Sequence, residues 1–353
     1  MANSNIIYDN ALLEAKLTEL LNSSLEVRSL MTVDDSLMES AGLTKIINRY
    51  TYSGTVEELA DGEANQSAGT LTFVPETYTV KRYQQTFRYN DADAMRDPSL
   101  VDMALAGAAD VMANQLRNEY FAQLAHIRNR HPIPGEAVCY NDIVEALGDL
   151  GREVEDGLFI LMGTDARAAI RRDPDFVASR QGEILYTGQF GTLCGIPVLF
   201  SRLVPAGKVI ITEKAAVKFF VKKEAGVEQS RNIETKENTI VYERHGVIAL
   251  VDDTSSVILG KAAAELFIDC MVNGDTMAID VAGKLFTGSP VRYAWDCAVP
   301  LEGENVSDWA LWDSGTNSIP VANPKGILVV AETDAEGNVI AVGSLSVSEA
   351  MAG

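Results

Sequence analysis

Three histidines, four cysteines and one acidic cluster are the side chains here whose types and spacing could do chemistry. His126 and His131 stand five residues apart, which sets them on different faces of a helix and speaks against a shared metal ion. His245 sits beside Glu243 and Arg244 in an alternating run, the setting of a surface or hydrogen-bonded strand histidine. Cys139, Cys194, Cys270 and Cys297 lie far apart with no C-x-x-C pair. They read as small hydrophobes in a reducing compartment, not as a disulfide framework or a zinc site. The run NDADAMRD spaces Asp91, Asp93 and Asp97 like the opening of a calcium loop. It lacks the glycine at the sixth position and the glutamate at the twelfth, so it reads as a polar turn before a helix. No phosphate-binding loop, dinucleotide fingerprint, nucleophile elbow or H-E-x-x-H pair is present. No residue is nominated as catalytic, cofactor-binding or metal-ligating, and nothing makes a positive case for an enzyme.

The 353 residues suffice for two or three domains, and 47 % hydrophobic against 22 % charged residues suits a buried core. A formal net charge of −21 repels nucleic-acid phosphate on average, which speaks against a protein that reads DNA. If such a chain surrounds DNA, it does so as a container and not as a reader. The opening MANSNIIYDN has no basic segment followed by an apolar core, and no apolar run approaches the roughly 20 residues of a membrane helix. The expectation is a chain made soluble and intracellular, with no membrane partner.

The element that organises the rest is DPSLVDMALAGAADVMANQLRNEYFAQLAHIR, where Asp97 or Ser99 can cap a helix. Val101, Leu105, Ala108, Met112, Leu116, Tyr120 and Leu124 form one apolar stripe, predicting a spine helix over 98–128 about 45 Å long. Upstream, KIINRYTYSGTV and TLTFVPETYTVKRYQQTFRY are rich in β-branched and aromatic residues. They predict a long hairpin around the acidic tip EELADGEANQSAG. An isolated two-stranded ribbon is marginal in water, so it needs support from its own body or another subunit. Leu13, Leu17, Leu20 and Leu21 predict a short helix, Asn10–Leu21, in an arm whose partner lies on its own body or a neighbour.

Downstream the pattern predicts a helix over Tyr140–Leu150, a doubly buried strand in GLFILMG and a helix in TDARAAIRRD. Further strands follow in GTLCGIPVLFS and GKVIIT, then a helix in TEKAAVKFFVKK with Thr212 as its cap. Closing strands turn near Lys236–Asn238 and end at Val257–Leu259. Beyond residue 261, KAAAELFIDCM reads as one more helix, and GILVVAETDAEGNVIAVGSLSV as a hairpin in a small β-rich domain that holds all three tryptophans. The fold class is α+β.

This order of parts, with the succession Gly195, Pro197, Val198, then Pro205 and Gly207, then Glu228, Arg231 and Tyr242, resembles the major capsid proteins of tailed bacteriophages. Encapsulin shells and the herpesvirus capsid floor share that fold. The resemblance implies an N-terminal arm at 1–44, an E-loop hairpin at 45–92 and a P-domain spine helix at 93–135. An A-domain at 136–235, P-domain return strands at 236–264 and a β-rich C-terminal domain at 265–353 would complete the chain. It further implies hexamers and pentamers tiling an icosahedral head around double-stranded DNA, without cofactors and with a portal. The arm shows no long charged helical pro-segment, so a separate scaffolding protein is expected. The tip from Glu57 to Gly69 has no lysine, so no covalent crosslink is expected. Alternatives are an encapsulin-like compartment holding cargo and an α/β enzyme with an accessory β domain.

Glu57, Glu58, Asp61 and Glu63 of the tip are the candidate inter-subunit contacts, with Arg82, Arg231 and Arg244 as their basic counterparts. Exposed ion pairs contribute only about 0–1 kcal/mol each, but a shell repeats them many times. Replacing the four acids by Gln or Asn is expected to lower shell stability more at low than at high salt; equal stability in both conditions removes the tip from the contacts.

Overall fold

The computed structural model describes residues 10–24, 30–39, 41–54, 56, 69–97, 99–152, 155–174, 176, 191–273, 276–286, 288–313, 318–321 and 326–347. The chain divides into two compact units, Met1–His126 with Glu213–Asp252 and Ile127–Thr212 with Asp253–Gly353. Residues 213–235, expected in the A-domain, therefore fall in the first unit.

In chain order, α1 (Asn10–Ser24), β1 (Thr32–Asp34) and the one-turn α2 (Ser36–Glu39) come first. Next are β2 (Thr44–Ser53), β3 (Thr70–Thr79), β4 (Lys81–Asn90), α3 (Asp91–Arg96) and α4 (Leu100–Leu124). The second unit begins with β5 (Arg130–Ile133), α5 (Tyr140–Asp149), β6 (Leu158–Met162), α6 (Thr164–Arg172), β7 (Thr192–Leu193), β8 (Ile196–Phe200) and β9 (Val209–Glu213). Two long strands, β10 (Val217–Asn232) and β11 (Glu237–Leu250), return to the first unit. Then β12 (Val257–Lys261), β13 (Ala264–Glu265), β14 (Phe267–Asn273), β15 (Thr276–Ala282) and β16 (Val291–Trp295) lead to β17 (Ala310–Leu311), β18 (Ser318–Pro320), β19 (Ile327–Thr333) and β20 (Val339–Ser346).

In the first unit α4 runs for 25 residues, about 37 Å, and buries the whole expected stripe from Val101 to Leu124. Asp97 accepts the Ser99 N–H at 2.9 Å ahead of its first turn. The helix stops four residues short of 128, and from Ile127 the chain belongs to the second unit. The α1 helix of the arm packs on its own body. Leu13 and Leu17 of α1 are buried against Val101, Leu105, Ala108 and Met112, where small alanines allow close approach. Glu14 accepts the Val227 N–H at 3.1 Å and Lys16 pairs with Asp102 at 2.9 Å, fixing α1 across sheet and helix.

The sheet under these helices has the order β1-β10-β11-β4, with β1 parallel to β10 and the other pairs antiparallel. Val227, Ile240 and Tyr242 face α1 and α4, while Phe220, Val247 and Ala249 join the cluster of Leu37 and Ile47. The helix expected in TEKAAVKFFVKK is therefore a turn followed by the start of β10. Its Val-Lys-Phe-Phe-Val run suits a strand buried on both faces, and pairing with β1 and β11 overrides helical spacing. The hairpin also differs from expectation, since its second run breaks at Val80. β3 pairs with β2 from Thr44↔Thr79 to Ser53↔Thr70, whereas β4 leaves the ribbon to pair with β11.

The second unit carries a six-stranded sheet, β5-β12-β9-β6-β8-β7, whose core takes Ile143 and Ala146 from α5 and Ala166 and Ile170 from α6. After it, sheets β13-β20-β19-β16-β17 and β14-β15-β18 share one core around Trp312, Met277, Ile279, Leu328 and Val330. KAAAELFIDCM is strand rather than helix: Phe267, Asp269 and Met271 are exposed while Ile268 and Cys270 pack on that core, a period of two. Buried charge ties this region to the α/β core. Glu304 accepts Arg130 Nε and Lys208 Nζ, each at 3.1 Å, with the three side chains only 17 %, 11 % and 13 % exposed. Burial lowers the Lys208 pKa in spite of its carboxylate partner. A Cβ on Gly260 would meet Leu301 at 2.9 Å, so backbone and side chain also interlock there.

Glu304→Gln leaves two cations facing one another without their acid. It is expected to lower the unfolding free energy by about 3 kcal/mol in a denaturant titration; a loss within error would make the triad incidental to stability.

Candidate interaction surface

Two features of the first unit could meet other molecules: the β2–β3 ribbon and a belt of charge across β4, β11 and β10. Strand alternation gives the ribbon two different faces. On one, Ile47, Tyr78 and Val80 pack on Leu37, Phe220 and Val247 at the base. Further out on that face Arg49 pairs with Glu76 at 2.8 Å, and the Tyr78 hydroxyl donates to Glu76 at 2.6 Å. Burial and that carboxylate push the Tyr78 phenol up to about 12.

The other face is uncovered. Ile46, Tyr50, Tyr52, Leu71 and Phe73 are 59–71 % exposed, and register places Tyr50 opposite Phe73 and Tyr52 opposite Leu71. The Tyr50 and Phe73 rings lie 6.2 Å apart and touch at a tilt. Five large apolar side chains on one face of a two-stranded ribbon are a contact surface awaiting cover. Sequence reading found the strands but missed this face. The signal was there in the alternation of Ile46, Tyr50 and Tyr52, and it needed the cross-strand register to become a patch.

The belt shows where the candidate arginines lie. Arg82 reaches Glu243 at 3.0 Å; Lys223 also bonds that carboxylate, and His245 Nε2 stands 3.6 Å away. The Lys223 hydrogen bond, against burial, holds Glu243 below its ordinary pKa. Arg244 is on the opposite face of β11, buried, 3.4 Å from Glu224, with its guanidinium 4.8 Å from the Phe219 ring centroid. Beside it the Tyr83 hydroxyl donates to Glu119 at 2.7 Å, and burial raises the Tyr83 pKa. Arg231 pairs with Asp91 at 2.6 Å, and Asn238 donates to the same carboxylate at 2.6 Å. Thus each candidate arginine has an acid in its own chain, and Arg82, its side chain 54 % exposed, is the most open of the three, against 30 % for Arg231 and 3 % for Arg244. Glu57, Glu58, Asp61 and Glu63 lie outside the described residues.

The remaining polar candidates are structural. Asp91 holds the Arg231–Asn238 end of the sheet, Asp97 accepts the N–H and hydroxyl of Ser99 ahead of α4, and Asp93 stands 3.9 Å from Arg96. His131 bonds Asp149 at 2.6 Å. Among the described residues no group of three or more His, Cys, Asp or Glu could hold a metal ion, and no helix is long and apolar enough to cross a membrane.

Comparison with known proteins gives one family match and several likenesses of fold. A family model described as phage capsid protein matches residues 74–259. The major capsid protein of Staphylococcus phage phiMR11 is 23 % identical over 259 residues, covering 70 % of this chain and 90 % of its own. The solved capsid of a native GTA particle has a TM-score of 0.56 at 13 % identity, covering 68 % of this chain and 91 % of that one. The SrpI encapsulin of Synechococcus elongatus has a TM-score of 0.50 at 13 % identity, covering 74 % and 92 %.

The charge belt carries a pH test. Glu243 has a folded pKa below the ordinary 4.5, so its contribution is complete above that value and is lost as pH falls through the folded one. Glu243→Gln is expected to be less stable near neutral pH and to lose less of its remaining stability on acidification below about 4.5. Parallel pH profiles for both proteins would show that the belt does not titrate with the fold.

Proposed function

Because this chain belongs to the phage capsid protein family, we propose that it is the major capsid subunit, assembling with copies of itself into the shell of a virion. The single observation that carries the assembly is the uncovered ribbon face, Ile46, Tyr50, Tyr52, Leu71 and Phe73. A subunit destined for a lattice leaves such a face for its neighbour to bury, at about 25 cal/mol per Å² of apolar surface. Its finer organisation is hexamers and pentamers in an icosahedral head around double-stranded DNA, built in the host cytoplasm with a separate scaffolding protein and a portal. The net charge of −21 favours this reading, since acidic walls let packaged DNA move without sticking. Arg82 is the favoured basic contact for a neighbour's acidic tip, because its side chain remains 54 % exposed beside Glu243.

The encapsulin reading shares the fold, but both the family model and the phiMR11 relative are phage capsid proteins, and they favour a virion. The sheets around Trp312 have a hydrophobic core of their own beyond the family match at 74–259, which favours reading residues 265–353 as an outward-facing accessory domain.

Electron microscopy of the purified chain is expected to show shells or capsomer rings. Tyr50→Asp with Phe73→Asp is expected to abolish them while circular dichroism stays unchanged, because both side chains are exposed in the single subunit. Normal shells from that variant would remove the ribbon face from the interface.

A further inference from the structure

The outer face of the β14–β15 ladder carries charge to which the described residues give no partner. Register sets Asp269 opposite Asp280, and both side chains are exposed. Like charges directly opposite one another destabilise a ladder. Asp269 accepts the N–H of the adjacent Cys270 at 2.8 Å, and neither carboxylate pairs with a cation among the described residues. Lys284, the next cation along the chain, is committed to the Trp312 ring, 4.7 Å from its centroid. Two residues to either side of Asp269 stand Phe267 and Met271, 63 % and 74 % exposed. Their cross-strand partners are Ala282 and Ala278, too short to cover them. The face therefore reads apolar, acidic, apolar, at steps of about 7 Å.

The same unit holds the opposite pattern. β8 ends at Phe200, and the turn that follows it carries Arg202 and Leu203. Phe200 and Leu203 are each 38 % exposed, and Arg202 is exposed between them in the chain. From α6, Arg167 lays its guanidinium over the Phe200 ring, 4.3 Å from the centroid. Neither arginine forms an ion pair among the described residues. Asp165, two residues before Arg167, accepts the N–H of Gly207 instead. A chain of net charge −21 repels its own copies on average, so copies meet where their local charges are opposite.

We infer that the β14–β15 face of one copy receives the turn after β8 of a second copy, with Arg167 and Arg202 meeting Asp269 and Asp280, and Phe200 and Leu203 covering Phe267 and Met271. One contact then relieves the like-charge pair on one side and satisfies the arginines on the other. The apolar flanks keep water from the ion pairs, which strengthens them. The two patches lie on different sheets, so one copy can offer each to a different neighbour, the head-to-tail order of a ring. The inference rests on the shell reading for its supply of neighbouring copies, and it concerns a contact separate from the ribbon face.

Two full-length variants test the contact. Asp269→Lys with Asp280→Lys reverses the receiving face and keeps a like-charge pair there; Arg167→Glu with Arg202→Glu reverses the turn. Each alone is expected to need roughly tenfold more protein than wild type to form shells, with circular dichroism of the free subunit unchanged. An equimolar mixture of the two is expected to assemble near the wild-type concentration, because each variant then meets its opposite charge. In that mixture a zero-length carbodiimide is expected to join the new amines to the new carboxylates, linking peptides that contain position 269 or 280 to peptides that contain 167 or 202. Normal assembly of either variant alone, a mixture no better than its parts, or adducts elsewhere overturn the contact. If the double arginine variant unfolds, Arg202→Glu alone, which leaves Arg167 on Phe200, takes its place in the mixture. If wild-type protein makes no shells, the capsid reading fails on its own, and the adducts of the mixture still decide this contact.

Discussion

The pairing of β10 with β11 is the interaction on which the first unit depends. It runs in antiparallel register from Val217↔Leu250 to Asn232↔Glu237, interrupted only by irregularities near Lys223. One face receives α1 and α4 through Val227, Ile240 and Tyr242; the other receives α2 and the ribbon base through Phe220, Val247 and Ala249. The far edge of β11 takes β4, which is the exit from the ribbon. Arm, spine helix and ribbon are thus all referenced to one two-stranded ladder. Such long-range pairing is entropically expensive to form and rewards the chain only when both faces are covered.

Acidic residues in this chain divide by role. Most of the excess negative charge is spread over the surface, where it keeps subunits soluble and repels phosphate. Some glutamates do something else, among them Glu243, Glu304 and Glu332: each is largely withdrawn from water and tied to specific donors. Glu243 collects Lys223 and Arg82 from flanking strands, Glu304 joins Arg130 to Lys208, and Glu332 fixes the backbone of a loop. Such groups add little net stability over apolar packing, but they punish any arrangement that separates them. In a subunit that must join neighbours without losing its own shape, that penalty is a source of definition.

Exposed apolar groups follow a matching logic. The ribbon presents Tyr50, Tyr52 and Phe73 on a ladder whose opposite face is anchored. There the order is set within the chain first, so little conformational entropy is left to lose on association.

The sequence by itself determined the elements whose information is local. The α4 stripe from Val101 to Leu124, the α5 and α6 helices, the buried strand Leu158–Met162 and the closing β19–β20 hairpin all follow from periodicity and turn residues. The order of those elements, with a few glycines and prolines, was enough to suggest the family. Tertiary structure alone decided the rest. Val217–Val221 and Phe267–Met271 have compositions open to either period, and they became strands because Gly246–Leu250 offered a ladder to the first and Ala278–Ala282 to the second. Arg82, Arg231 and Arg244 looked free in the text because an ion pair leaves no mark on local spacing, yet each meets an acid of its own chain. The exposed ribbon face was equally hidden: alternation says that two faces exist, but only the docking of Ile47, Tyr78 and Val80 decides which one is covered. Burial is a property of what lies opposite a side chain, and what lies opposite is fixed by the whole fold.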